Sequence, residues 1–113
     1  YDYLESVPNL HTHIDGLAAS AATLLTVGGA HRTMTQNSMM LVHQPFFVVE
    51  AGEVKYSSIR DEMVNMEKCM RALLDVYNAT TTATFDELVT LVSNEQMMTA
   101  SECLSYGFVD KVS

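Results

Sequence analysis

Ser20 and His43 are the side chains in this sequence best suited to do chemistry together. Ser20 closes "GLAAS" (16–20), where a lone hydroxyl stands among small residues. Small neighbours let a helix lie close to another element. They also leave room for a substrate carbonyl above a nucleophile. His43 ends the apolar run "MMLVH" (39–43) and precedes Gln44-Pro45. Taken singly, each has a plain structural account: a packing serine, and a hydrogen-bonded histidine at a strand end. Taken together they suggest more. Ser20 follows one predicted strand and opens a predicted helix, so the backbone N–H groups beside it face outward, where an oxyanion could be stabilised. A base at the end of another strand can reach the same sheet edge, and a carboxylate orienting the imidazole would complete a nucleophilic triad.

The other chemical candidate is His11-x-His13. Alternate strand residues share a face, so both imidazoles could meet one metal ion. Two ligands do not make a site, and no nearby cysteine or carboxylate pair completes one. The expectation is half-exposed strand histidines, with no metal and no cofactor.

The elements that must carry these residues follow from periodicity and turn residues. Residues 1–7 read as the last turns of a helix stopped by Pro8-Asn9, and "LHTHI" (10–14) as a short strand broken by Gly16. "SAATLLTV" (20–27) is apolar nearly all round, which predicts a buried helix, and Gly28-Gly29 would end it in a left-handed cap. "HRTMT" (31–35) and "MMLVH" read as strands around the turn-rich "QNS", and "FFVVEAG" (46–52) as a further strand. From Tyr56 to Asn78, Ile59, Met63, Met66, Met70, Leu73 and Tyr77 recur at alternating steps of four and three, one face of a long amphipathic helix. Thr84 with Glu87, and Thr99 with Glu102, carry capping-box spacing at two further helix starts; Gly107 caps the second, and "FVDKV" is a closing strand. This alternation of α and β predicts layered α/β packing.

Composition bounds the function. With 113 residues the chain is one small domain or part of one, and 14 acidic against 6 basic residues give a net charge of −8. That balance argues against nucleic acid or an anionic membrane as partner. No apolar run is long enough to span a bilayer, and no signal peptide is visible. Cys69 and Cys103 lack CxxC spacing and both fall in predicted helices, so both are expected reduced, buried and inert. The opening "YDYLESVPN" starts as though mid-element.

The run "GLAASAATLLTVGGAHRTMTQNSMMLVHQP" resembles the nucleophile-to-histidine segment of the Clp protease proteolytic subunit (ClpP) family, including ClpP-like phage head maturation proteases. The family's G-x-A-A-S, A-x-x-R, P-N-S and H-Q-P motifs have their counterparts in Gly16–Ser20, Gly29–Arg32, Gln36–Ser38 and His43–Pro45. The tail "QMMTASECLSYGFVDKV" is similar to the family's end motif, and the resemblance runs from about Ile14 to Val112. It implies a ClpP/crotonase-type α/β spiral of ββα units, seen here without its N-terminal portion, with 1–113 as the C-terminal part of one peptidase domain. It implies a serine peptidase working through an acyl-enzyme: Ser20 as nucleophile, His43 as general base, and the Ala21 N–H as an oxyanion donor. Residues from about 46 to 78 would form the handle strand and helix, with the strand from Phe46 pairing to an extended substrate. The resemblance further implies heptameric rings stacked in pairs, an AAA+ unfoldase partner, polypeptide substrates, and a cytoplasmic or phage-prohead location.

Two features depart from the family pattern. Its acid is usually an aspartate before the end motif; the matching residue here is Glu95, with Asn94 beside it as an uncharged alternative and Asp110 ranked behind both. The Gly-Gly loop that supplies the second oxyanion donor has no counterpart before Ser20. These departures support one rival reading, a catalytically inactive ring subunit. A second, an acyl-CoA-binding crotonase relative, comes from the same broad fold, and Ser20 and His43 in the His-Gln-Pro context argue against it.

Overall fold

Short β-forming runs broken by turn residues fold here as successive strand pairs, each handing the chain from one sheet to another. The computed structural model describes residues 1–46, 52–53 and 55–113. After a single helical turn, α1 (Asp2–Glu5), strand β1 (His11–Ile14) lies in one sheet and β2 (Leu17–Ala19) in a second, and α2 (Ala21–Thr26) follows. Strands β3 (His31–Met34) and β4 (Met39–Leu41) repeat the same step. The chain then runs through α3 (Tyr56–Thr80), α4 (Phe85–Ser93), β5 (Met98–Thr99), α5 (Ala100–Tyr106) and β6 (Lys111–Val112). The first sheet has the order β1-β3-β6, all parallel; the second has the order β2-β4-β5, with β4 and β5 antiparallel. This is the mixed α/β arrangement of ββα units that the resemblance implies. The expected strand at 46–52 lies largely outside the described residues.

Two corners stack where the chain changes sheets. Gly16, at φ +120°, turns β1 into β2, a conformation that L side chains rarely adopt. Ser38 at the second corner is buried, yet its hydroxyl is fully used. It donates to the Ile14 carbonyl at 3.1 Å and accepts the Gly16 N–H at 2.8 Å and the Thr35 hydroxyl. One side chain thus fixes the register of both units, which leaves β2 and β4 side by side with Ala19 opposite Leu41.

The core lies between the sheets and the helices, with Met34, Met40, Tyr77, Leu88, Val92 and Phe108 fully buried. Each such side chain stabilises the fold by about 1.5–3 kcal/mol. Tyr77 and Phe108 pack with ring centroids 5.5 Å apart, joining the end of α3 to the segment after α5. Both expected capping boxes form: Glu87 N–H donates to Thr84 Oγ1 at 3.2 Å, and Glu102 N–H to Thr99 Oγ1 at 3.3 Å. Gly107 takes the left-handed cap, φ 80°.

Four expectations need correction. The stretch before Ser20 is itself a strand, β2, which small residues without alternation do not announce. Helix α2 is six residues long and partly solvated: Thr23 is buried, but Leu25 is 53% exposed. It lies against β1 and β2 and leaves its outer face to solvent. Gly28 and Gly29 are not left-handed; α2 ends at Val27 in the right-handed region. Their lack of a side chain serves close approach instead. A Cβ on Gly29 would fall 2.6 Å from Thr12 Oγ1, and one on Gly28 would fall 3.1 Å from Leu4 Cβ. Cys103 is buried as expected, and burial pushes its thiol up to about 12. Cys69 is exposed, because it lines an open cleft between α2 and α3 rather than a packed contact.

Helix α3 dominates the shape. Its 25 residues span about 37 Å at 1.5 Å per residue, and only Leu74 and Tyr77 near its end are fully buried. Tyr56, Ile59, Met63 and Val64 in its first half are exposed. The apolar stripe read from the sequence therefore packs on the domain at one end and stands free at the other. The packed end is held by Arg32, whose Nη1 donates to the Thr80 carbonyl at 2.6 Å, closing the C-terminus of α3.

Candidate active site

The parallel pairing of β2 with β4 delivers Ser20 and His43 to the same edge. Ser20 follows β2 directly and His43 lies two residues past β4. Their side chains meet, with Ser20 Oγ 2.5 Å from His43 Nε2. On the far side of the ring, His43 Nδ1 is 2.8 Å from the Gln44 carbonyl. A carbonyl can only accept, so Nδ1 carries the proton and Nε2 presents its lone pair to the serine hydroxyl. That tautomer is the one a general base requires.

Ser20 occupies φ 57°, ψ −127°, a region a non-glycine residue rarely enters and whose cost is about 1–3 kcal/mol. Both of its backbone groups are tied down. Its N–H donates to the Leu41 carbonyl at 3.0 Å. Its carbonyl accepts from the Thr23 N–H at 3.1 Å and from the Thr23 hydroxyl at 2.6 Å. Thr23 is buried, and the buried Tyr77 hydroxyl bonds to Thr23 Oγ1. The strained turn is thus anchored to β4 on one side and to the end of α3 on the other. Sequence reasoning misses both supports: Thr23 carries no motif, and Tyr77 reads as one more apolar position on α3.

The Ser20–His43 pair opens onto a cleft of about 480 Å³ whose lining includes Ala21, Leu24, Pro45, Cys69, Leu73 and Val76. The lining is mainly apolar, so the cleft suits an apolar side chain next to a reacting carbonyl. A second groove of about 320 Å³ lies between α3 and α4, lined by Met66, Met70, Leu74 and Phe85 among others, and holds neither Ser20 nor His43.

The remaining expected site residues are placed as follows. Ala21 is the first residue of α2, so its N–H has no acceptor within the helix. Phe46 is exposed, its ring centroid 6.0 Å from that of His43. Glu95 is exposed in the link between α4 and β5 and, among the described residues, makes no hydrogen bond to His43. The Gln44 N–H donates to the Val92 carbonyl at 2.8 Å, which keeps the end of α4 beside the histidine segment. Asp110 is engaged elsewhere: it holds Arg32 at 2.8 Å, and that hydrogen bond lowers its carboxyl below the usual range. His13 Nδ1 pairs with Thr33 Oγ1 at 2.7 Å, and His11 stacks on His31 with centroids 4.5 Å apart. Among the described residues no group of three or more His, Cys, Asp or Glu could hold a metal ion, and no helix is long and apolar enough to cross a membrane.

Comparison with known proteins adds to this geometry. The family model described as Clp protease matches residues 1–113. The chain is similar to the ATP-dependent Clp protease proteolytic subunit 1 of Corynebacterium glutamicum, 32% identical over 115 residues, covering 99% of this chain and 54% of that protein. Proteolytic subunit 2 of Leifsonia xyli is 31% identical over 115 residues, covering 99% of this chain and 51% of that protein. Proteolytic subunit 2 of Streptomyces coelicolor is 29% identical over 116 residues, covering 99% of this chain and 52% of that protein. The chain spans about half the length of the curated relatives it matches.

Proposed function

The chain belongs to the Clp protease family, and on that premise we propose that it carries the nucleophile and base of a serine peptidase. The observation behind this reading is the 2.5 Å approach of Ser20 Oγ to His43 Nε2, with Nδ1 committed as a donor on the other side. His43 takes the Ser20 proton as Oγ attacks the scissile carbonyl. The Ala21 N–H meets the developing oxyanion. His43 then returns the proton to the leaving amine. In the second half it takes a proton from the water that attacks the acyl carbonyl and gives it to Ser20 Oγ as the acyl group leaves. The carbonyl of Gln44 fixes the tautomer but carries no full charge. Glu95 is the carboxylate proposed to stabilise the imidazolium: it follows Val92 by three residues, and Val92 is bonded to Gln44.

The chain is proposed as the C-terminal part of one peptidase domain, with α3 as its handle. The exposed apolar first half of α3 suits burial between subunits, in heptameric rings stacked in pairs. Unfolded polypeptides supplied by an AAA+ unfoldase in the cytoplasm, or scaffold and capsid chains in a phage prohead, are the proposed substrates. A fluorophosphonate probe tests the reading on the full-length protein. Labelling that Ser20→Ala abolishes supports it. Absence of labelling in an assembled wild type favours an inactive ring subunit, a reading to which the backbone carbonyl at His43 Nδ1 lends weight. Thioester turnover unaffected by loss of Ser20 would favour a crotonase-like activity.

A further inference from the structure

The Ser20 carbonyl and the Ala21 N–H belong to one peptide unit. That unit is planar, and across a trans bond its C=O and N–H point in opposite directions. Whatever fixes the carbonyl therefore aims the N–H. The carbonyl is held twice by Thr23, through its N–H at 3.1 Å and its hydroxyl at 2.6 Å. The Thr23 hydroxyl has one proton, which it gives to Ser20. The contact between Thr23 Oγ1 and Tyr77 Oη is then donated by the phenol. Both side chains are fully buried, so no water competes for these bonds. Burial also raises the Tyr77 phenol above its ordinary value, keeping it a neutral donor. Tyr77 in turn is fixed by Phe108 and by Thr81, whose N–H and hydroxyl both bond to the Tyr77 carbonyl at 2.9 and 2.6 Å.

We propose that Thr23 and Tyr77 are positioning residues that aim the Ala21 N–H at the reacting oxygen by clamping the far end of the Ser20–Ala21 peptide. The inference rests on the peptidase reading above and deepens it. The unfavourable backbone angles of Ser20 give the clamp its purpose: an unheld peptide at φ 57°, ψ −127° has wider and better-populated regions to relax into. The chain of bonds also makes the packed end of α3 part of the catalytic support, through Tyr77, 54 residues away in sequence from Thr23.

The test uses the full-length protein, a fluorophosphonate probe, a short fluorogenic peptide and thermal unfolding. The double variant Thr23→Val/Tyr77→Phe removes both hydroxyls and leaves no buried polar atom unpaired, so its unfolding midpoint should stay near wild type. Its labelling rate and kcat should each fall about tenfold or more, with KM within about twofold, because a misaimed donor is lost only where charge develops. Thr23→Ser, which keeps the clamp hydroxyl, should recover most of that rate. A folded double variant with wild-type labelling and kcat overturns the proposal. So does a loss of rate that Thr23→Ser fails to recover. Should the double variant not fold, Tyr77→Phe alone decides: a fall in kcat of about threefold or more at constant KM supports the clamp, and an unchanged kcat overturns it. A wild type that does not label, or a Ser20→Ala variant that does, overturns the peptidase reading itself and the clamp with it.

Discussion

Ser20 Oγ and His43 Nε2 stand 2.5 Å apart although 23 positions separate them in sequence. The pairing of β2 with β4 makes that approach, since Ala19 lies opposite Leu41 and each chemical residue leaves its strand just beyond. Ser20→Ala removes the hydroxyl while keeping the bonds of the Ser20 backbone to Leu41 and Thr23. Loss of a triad nucleophile costs on the order of a millionfold in kcat where it has been measured in another enzyme. We expect peptide cleavage by Ser20→Ala to fall to background, with unchanged assembly and an unfolding midpoint close to wild type. Cleavage retained by the purified variant would remove Ser20 from the nucleophile's role.

The Arg32–Asp110 pair joins β3 to the segment leading into β6, with Nη2 to Oδ1 at 2.8 Å, Nε to Oδ2 at 3.2 Å and the Arg32 N–H to Oδ2 at 2.8 Å. The Arg32 side chain is only 12% exposed, whereas Asp110 is 49% exposed, so solvent screens part of the attraction. These hydrogen bonds lower the Asp110 carboxyl below its ordinary 3.8. A carboxyl depressed in the folded state stabilises above its unfolded value, and that contribution fades as pH drops through the folded one. Asp110→Asn should therefore cost about 1 kcal/mol at pH 7. The gap should hold down to about pH 4 and narrow below it. Urea unfolding of both proteins across that range checks the sign; a gap just as wide at pH 2.5 would show that the carboxylate charge is not its source.

The exposed half of α3 gives a third expectation. Met63 is 56% exposed, so Met63→Glu places its charge in water when a subunit stands alone and should change subunit stability by no more than about 0.5 kcal/mol. In a dry contact between subunits the same charge would be unpaired and desolvated. Sedimentation of the full-length Met63→Glu variant should show smaller species than wild type, while its unfolding by urea stays near wild type. An identical sedimentation profile would place the α3 stripe outside any subunit contact.

What the sequence reveals about this fold is what depends on near neighbours. Both capping boxes are legible because Thr84 and Glu87, and Thr99 and Glu102, meet their partners within one turn. The α3 stripe is legible for the same reason, though its spacing cannot tell a buried Tyr77 from an exposed Ile59. Strand β2 escapes notice because Leu17, Ala18 and Ala19 offer no alternation; it exists as a strand through its partner β4. Gly28 and Gly29 look like a cap, yet their small size answers Leu4 and Thr12, distant contacts that only the folded chain brings near. At the site, Ser20 and His43 stand in recognisable motifs. The Thr23–Tyr77 link does not, because a hydroxyl pair so far apart in sequence has no periodicity to betray it.

The orienting group of His43 is the most discriminating test of the site. The Gln44 carbonyl holds its Nδ1–H at 2.8 Å; the acceptor proposed above is instead the Glu95 carboxylate of the α4–β5 link. The carbonyl selects the right tautomer without adding charge. The transition state, however, places a full positive charge on the imidazole, and a carboxylate stabilises that charge far better than a carbonyl does. Glu95 is one methylene longer than an aspartate, and its link leaves α4 next to Val92, the residue bonded to Gln44. Glu95→Gln keeps the size and removes the charge. Because Glu95 is exposed, the change should leave the unfolding midpoint in place. We expect kcat to fall about a hundredfold or more with KM little altered. A rate within about twofold of wild type, the scatter of a surface substitution worth ±0.5 kcal/mol, would instead assign the orienting role to the Gln44 carbonyl and make the site a serine–histidine pair.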